Sequence, residues 1–366
     1  MNRIWDTFAS LTAIDSLSLR ERAFCDALKA RLAALGVQTY EDSAGERIGG
    51  NCGNLYGFLP GDVPLPPLLF SAHMDTVDPG MGKKAVLGQD GTVTSAGDTI
   101  LGADDAAGIT VILEALTRLK ESGKPHRPVE LLFTVAEEAY GLGSVEADYS
   151  RIQAKEAYTL DLSGAIGEAA HAAPTLLSFE ITVTGKAAHA GFSPRDGVHA
   201  IAAASKAIAR VPMGEPEPGV TVNVGKIQGG LAGNIVPAEC RVTGEIRSLS
   251  HENVLVWWDK VRAVFAEEAA ALGATVADTH RYDITAYETP LDGTVVRRFR
   301  KACDAAGVPA NLHPTLGGSD QNVYAMHGIQ GIVLACSIHN AHSVKEYCRL
   351  DEMEKCVELV LALIDL

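Results

Sequence analysis

Leu101-Gly102-Ala103-Asp104-Asp105-Ala106-Ala107-Gly108 sets two adjacent carboxylates where an apolar segment passes into a helix. Beyond them Ile109, Ile112, Leu113, Leu116 and Leu119 recur at the spacing of a helix that buries one face against a sheet. Paired acids at a helix start are ordinarily caps, stabilised by the positive end of the helix dipole. Their neighbours along the chain make a cap too small an explanation. Ser71-Ala72-His73-Met74-Asp75 lies upstream, and Thr134-Val135-Ala136-Glu137-Glu138-Ala139-Tyr140-Gly141 downstream. An isolated Asp161 follows a short apolar run, and Ile338-His339-Asn340-Ala341-His342-Ser343 comes later. Each sits at the end of a β-like run, where side chains from separate loops can converge on one cleft. Hard oxygen donors with two imidazoles suit a pair of zinc-like ions, which points to a hydrolase.

Around these motifs the chain alternates strands and helices. Phe24, Leu28, Leu32 and Leu35 form an amphipathic stripe that stops at Gly36, and Leu55–Leu59 and Leu68–Ala72 read as strands. Val129–Val135 is a continuous apolar run suited to a central strand covered on both faces. The expected class is α/β: a mostly parallel sheet flanked by helices. After Pro174 the period changes to two, with Phe179, Ile181 and Val183 alternating with polar residues. A helix over His199–Arg210, strands over Val220–Ile227 and Cys240–Ile246, a helix from Ser250 carrying Val254, Trp258, Val261 and Phe265, and a strand near Val276–Tyr282 complete a ferredoxin-like α+β unit. Met213–Gly219 reads as a surface loop. The α/β rhythm then resumes with a helix over Val295–Ala306, a strand over Ile332–Cys336 and a helix from Asp351. The domains expected are therefore 1–174 with 290–366, interrupted by an insertion over 175–289.

Composition narrows the function classes. The chain has 366 residues, too many for one compact core, and a net charge of −15, which disfavours nucleic acid and anionic membrane as partners. Seven scattered cysteines without a Cys-x-x-Cys pair suggest reduced thiols and a cytoplasmic setting. The first fifteen residues lack the apolar stretch of a signal peptide, and no run is long enough for a transmembrane helix.

Together these residues resemble the co-catalytic metallopeptidases that include peptidase T, aminoacylase and the bacterial glutamate carboxypeptidase. Thr99–Gly108, His73-Met74-Asp75, Glu137-Glu138, Gly185–Gly191, Asn234-Ile235-Val236 and Gly317-Gly318-Ser319-Asp320 carry the resemblance, which spans nearly the whole chain and lies nearest the peptidase T branch. It implies two Zn2+ per chain, with Co2+ or Mn2+ as substitutes. Asp104 would bridge the ions, His73 and Asp161 would complete one site, and Glu138 and His342 the other. His342 is preferred to His339 because Ser343 and Glu346 follow it in the family's pattern. Asp75 would accept the second ring N–H of His73 and fix its tautomer. Glu137 would be the general base. In the inserted domain, an expected lid and homodimer surface, His189, Asn234 and Arg247 would meet the substrate, with Ser319 as a further contact. A short peptide with a free N-terminus is the expected substrate, because relatives carry Asp at the Asp161 position when they are aminopeptidases. The rivals are an N-acyl amino acid deacylase with the same chemistry and a non-catalytic small-molecule binding protein.

Overall fold

Val129–Thr134 is buried at every position, and its side chains alternate between two different cores. In the computed structural model, which describes residues 2–365, Val129, Leu131 and Phe133 pack into the large core on one face of the sheet while Leu132 packs into a smaller one on the other. The neighbouring strand Leu68–His73 does the same, with Leu68 and Phe70 on one side and Leu69 on the other. Alternation hidden on both faces explains why these strands read as unbroken apolar runs. Truncating Phe133 to alanine would cost about 3–5 kcal/mol.

Across this sheet the order is Gln38–Glu41, Leu55–Leu59, Val129–Thr134, Leu68–His73, Glu156–Ser163, Gln330–Ile338 and Glu168–Ala173. The four strands Val129–Thr134, Leu68–His73, Glu156–Ser163 and Gln330–Ile338 run parallel. Gln38–Glu41, Leu55–Leu59 and Glu168–Ala173 join antiparallel outside them, and Asn311–Pro314 pairs parallel with Glu168–Ala173, so the sheet is mixed. Helices Ala103–Ser122, Thr294–Ala306 and Leu350–Asp365 bury their apolar stripes in the large core. Several elements have no counterpart in the sequence reading, two of which bear on the core and the sheet end. The chain opens with a helix, Arg3–Thr12, whose Ile4, Phe8 and Leu11 recur at i, i+4 and i+7. A small three-stranded sheet also joins Ala85–Leu87, Thr92–Ser95 and Tyr347–Arg349.

The described residues form two compact units. One comprises the residues up to Ala172, Glu288–Thr315 and those from Ser319 on; the other is Ala173–Tyr287 with Leu316–Gly318. The second unit holds an antiparallel five-stranded sheet in the order Gly214–Glu217, Val220–Gly229, Glu239–Ser248, Thr175–Thr184 and Thr275–Ile284, covered by helices Ala200–Arg210 and His251–Ala271. Gly214–Glu217 corrects the reading of Met213–Gly219 as a loop. It is an edge strand turned back on Val220–Gly229 through Gly219 at φ 77°, and an edge is where a strand tolerates a proline such as Pro216. His199 caps its helix by accepting the Ala202 N–H, and His251 Nδ1 lies 3.2 Å from Thr175 Oγ1.

Candidate dinuclear metal centre

Four adjacent parallel strands release the polar motifs at one end of the sheet, the carboxyl end where open α/β sheets form their crevices. His73 closes Leu68–His73 and pairs with Thr134, so Glu137 and Glu138 leave the next strand beside it. Asp161 belongs to Glu156–Ser163, the strand on the other flank, and His342 follows Gln330–Ile338. Asp104 arrives from the start of the helix Ala103–Ser122. It lies with its two oxygens turned to different imidazoles: Oδ1 is 3.1 Å from His73 Nε2, and Oδ2 is 3.2 Å from His342 Nε2. His73 Nε2 is also 3.8 Å from Asp161 Oδ1, and His342 Nε2 is 2.9 Å from Glu138 Oε1. Ligand atoms of His73, Asp104 and Glu138 lie within 4.8 Å of one another, and so do those of His73, Glu137 and Asp161.

Asp104 and Asp105 do not continue the helix, for both have non-helical backbone angles. Asp105 is the working cap: its Oδ1 accepts the Gly108 N–H at 3.1 Å, and its Oδ2 accepts the His73 N–H at 3.3 Å. A side chain at Gly108 would meet Asp105 Oδ1 at 2.4 Å and the Leu160 carbonyl at 2.5 Å, so this turn of helix needs glycine. The Asp104 backbone is held from the His342 side. Glu346, buried, accepts the N–H groups of Gly102 at 2.7 Å and Asp104 at 2.9 Å.

Asp75 works differently from the expectation. The nearest acceptor to His73 Nδ1 is the Asp75 backbone carbonyl at 3.0 Å, with the carboxylate Oδ1 at 3.4 Å. The carboxylate accepts instead from the Glu137 N–H at 2.9 Å, the Glu138 N–H at 3.2 Å and the Ser18 hydroxyl at 2.6 Å. It is the anchor of the loop that carries both glutamates. Ser319, expected at the substrate, is buried and caps the helix Asp320–Met326, its hydroxyl accepting the Gln321 N–H. Asp320 beside it is buried and bonded to the Thr134 hydroxyl.

Electrostatics shows what this cluster lacks. Asp75, Asp104, Asp105, Glu137, Glu138, Asp161 and Asp320 surround only two imidazoles. Burial pushes Glu137, Asp161 and Asp105 well above the ordinary carboxyl range. Burial also opposes ionisation of Asp104, but contacts with His342 and His73 win and hold it well below that range. Contacts with Asp104 and Glu138 push His342 up to about 10, and His73 stays well above the imidazole range although burial opposes it. Glu138 Oε1 is buried and makes no aligned hydrogen bond. A buried anionic cluster of oxygen and imidazole donors is the chemistry that divalent cations satisfy, so the residues present fit a dinuclear centre.

In the second unit the structure brings His189 and Asn234 together. His189 pairs with Ile235 in a short ladder, and the Ala190 N–H donates to the Asn234 carbonyl at 2.9 Å. His189 is exposed, and its Nδ1 accepts the N–H groups of Gly191 and Phe192 at 3.1 and 3.2 Å. With Nδ1 accepting, the tautomer that fits carries its proton on Nε2, which is left as a donor. Arg247 is half-buried and already forked onto Glu245, with the Leu316 carbonyl as a third partner.

Glu346 entered the sequence reading only as a marker for His342 and the Asp105 cap only as a general expectation, whereas the Thr134 contact of Asp320 and the anchoring by Asp75 depend on contacts between distant segments.

The family model described as Peptidase family M20/M25/M40 matches residues 69–366, which include all five candidate ligands and Glu137. YqjE, an uncharacterized protein of Bacillus subtilis (strain 168), is 37% identical over 363 residues, covering 99% of this chain and 98% of its own. The crystal structure of aminopeptidase PepT from Bacillus cereus ATCC 10987 is 36% identical with a TM-score of 0.93, over 99% of this chain and 97% of that one. A tripeptidase of Staphylococcus aureus subsp. aureus Mu50 is 32% identical with a TM-score of 0.96, over the same shares. The chain belongs to peptidase family M20/M25/M40 and is a metallopeptidase of that family.

Proposed function

We propose that this enzyme is an aminopeptidase that releases the N-terminal residue of short peptides, with two Zn2+ as its native ions. The observation that carries it is Asp104, set between two imidazoles with one oxygen toward each. His73 and Asp161 would hold one ion and Glu138 and His342 the other, with Asp104 shared between them. Ions bound there supply Lewis acidity and bring the pKa of a water toward neutrality.

The chain's own groups do the rest. Glu137 takes a proton from the attacking water through its carboxylate and returns it to the leaving amine. Its place next to Glu138, on the loop anchored by Asp75, lets one residue grip an ion while the other stays free for proton transfer. His189 donates through Nε2–H to the carbonyl oxygen as negative charge develops there, and Asn234 adds a neighbouring polar contact. Arg247, turned from Glu245, would meet the substrate's carboxylate end and keep substrates short. Ser319 accepts a capping N–H and keeps its own O–H to donate as a further substrate contact.

The second unit acts as a lid, the domains being 1–174 with 290–366 and 175–289, and two copies of the chain pair through it. A cytoplasmic location is supported by the seven cysteines, all free and buried, and no helix among the described residues is long and apolar enough to cross a membrane. The test is hydrolysis of matched free and N-acetylated di- and tripeptides with zinc, cobalt or manganese added. An unpaired ammonium pocket costs a capped substrate roughly 1–3 kcal/mol or more, so free peptides should react about 5- to 150-fold faster or more. Preference for the acetylated set would overturn the aminopeptidase reading in favour of a deacylase.

A further inference from the structure

The loop that carries Glu137 and Glu138 is held by side chains alone at four consecutive amides. Val135 N–H donates to Asn54 Oδ1 at 3.1 Å, Ala136 N–H to Glu21 Oε1 at 3.0 Å, Glu137 N–H to Asp75 Oδ1 and Glu138 N–H to Asp75 Oδ2. Asn54, Glu21 and Asp75 are each fully buried. Ala136 stands at φ 51°, a left-handed backbone that a non-glycine residue keeps only when its surroundings enforce it. The residue enforcing it comes from far upstream. Glu21 stands at the start of the helix Arg22–Leu35, before Leu69, where the family match begins, and its Oε1 also accepts the Leu19 N–H at 2.8 Å.

We infer that Glu21 is a positioning residue for catalysis: by accepting the Ala136 N–H it fixes the turn that aims the Glu137 carboxylate, without touching substrate or metal itself. This rests on Glu137 being the base. A buried carboxyl that served only charge balance would have a cation beside it; no cation is bonded to Glu21, and Oε2 has no hydrogen-bond partner. Burial, with Asp75 nearby, pushes Glu21 up to about 7. What the loop uses is therefore the reach of one oxygen, which a neutral amide can supply equally well. An aspartate keeps the charge but draws that oxygen back by one methylene.

The experiment compares Glu21→Gln, Glu21→Asp and Glu21→Ala in the full-length, metal-loaded enzyme, reading kcat and KM on a free tripeptide alongside melting temperature. Misplacing a catalytic group by about 1 Å can cost about 10²-fold. Glu21→Asp and Glu21→Ala should therefore lower kcat about 10- to 100-fold with KM within threefold, and Glu21→Gln should stay within threefold of wild type. If Glu21→Ala fails to fold, the Gln–Asp pair still decides. Two outcomes overturn the inference: Asp active with Gln impaired, which assigns the role to charge, or melting temperatures that fall while kcat stays flat across the series. Glu137→Gln is assayed in parallel. Normal turnover in that variant removes the parent reading, whereas its collapse beside a flat Glu21 series removes this inference alone.

Discussion

The two units treat polar groups in opposite ways. The catalytic unit buries the groups that hold its candidate machinery in place: Asp75, Asp105, His73 and Glu346 are almost wholly inaccessible, while Glu137, Glu138 and Asp161 are half-buried and His342 is exposed at the rim. The second unit has an apolar core of Val, Ile, Phe and Trp side chains, and its candidates His189 and Asn234 sit outside it. Burial preorganises donors for metal but stores repulsion among carboxylates that only cations relieve. Exposure leaves a residue free to meet a substrate and cheap to replace. Changes in the first unit should therefore couple activity to metal content and stability, and changes in the second should separate them.

Asp104→Ala is the strongest challenge to that contrast. It removes the one carboxylate facing both imidazoles, so both ions should be lost, activity should fall to background, and elemental analysis should find less than one metal per chain. Two metals retained would show that Asp104 is not shared. Chelation of the wild-type enzyme should likewise lower its melting temperature, since binding to the native state is stabilising.

Glu137→Gln separates chemistry from metal within the same unit. Turnover should fall by ~10²–10⁴ while metal content stays at two. Loss of metal would make Glu137 a ligand, a possibility its closeness to His73 and Asp161 makes worth measuring.

His189→Ala tests the exposed side of the comparison. Metal content and melting temperature should match wild type while kcat falls about 10²-fold, the scale of a lost oxyanion donor. Mixing this variant with Glu137→Gln asks whose site His189 serves. Recovered activity shows that it acts across a dimer, and no recovery confines it to its own chain.

The smallest effect concerns a charge in the catalytic unit outside the metal cluster. Glu41 lies between Arg22 and Lys29; burial opposes its ionisation, but the two cations and the Gly53 N–H hold it at about 2. Its folded pKa is below the ordinary 4.5, so its contribution to stability is complete above about 4.5 and disappears as pH falls toward about 2. Glu41→Gln should lower the melting temperature by about 1–3 °C at neutral pH and leave it unchanged at pH 2. Metal content should not move, and if it does, the separation between cluster and surface charge fails.

Legibility in the sequence followed the same division. His73, Asp104, Glu138, Asp161 and His342 were readable because each stands at a motif beside a strong apolar run, and the structure brings them together at one sheet end. The second unit's strands were readable from their period of two, apart from Gly214–Glu217, whose glycine and prolines conceal an edge strand. For Ser319 the motif did not reveal the cap, because a serine in a glycine-rich stretch looks the same whether or not it caps a helix. Arg3–Thr12 was passed over although Ile4, Phe8 and Leu11 carry the helical period.

By itself the sequence determined the alternation of strands and helices, the two-unit composition and the set of candidate metal donors, because periodicity and residue chemistry are local properties. Only the tertiary structure decided which oxygen faces which nitrogen. It put Asp104 between two imidazoles, gave the Asp75 carboxylate the Glu137–Glu138 amides to hold beside His73, and brought Glu21 and Glu346 to backbone groups more than a hundred residues away. Those choices depend on how separate loops pack at one sheet end, and no local pattern records them.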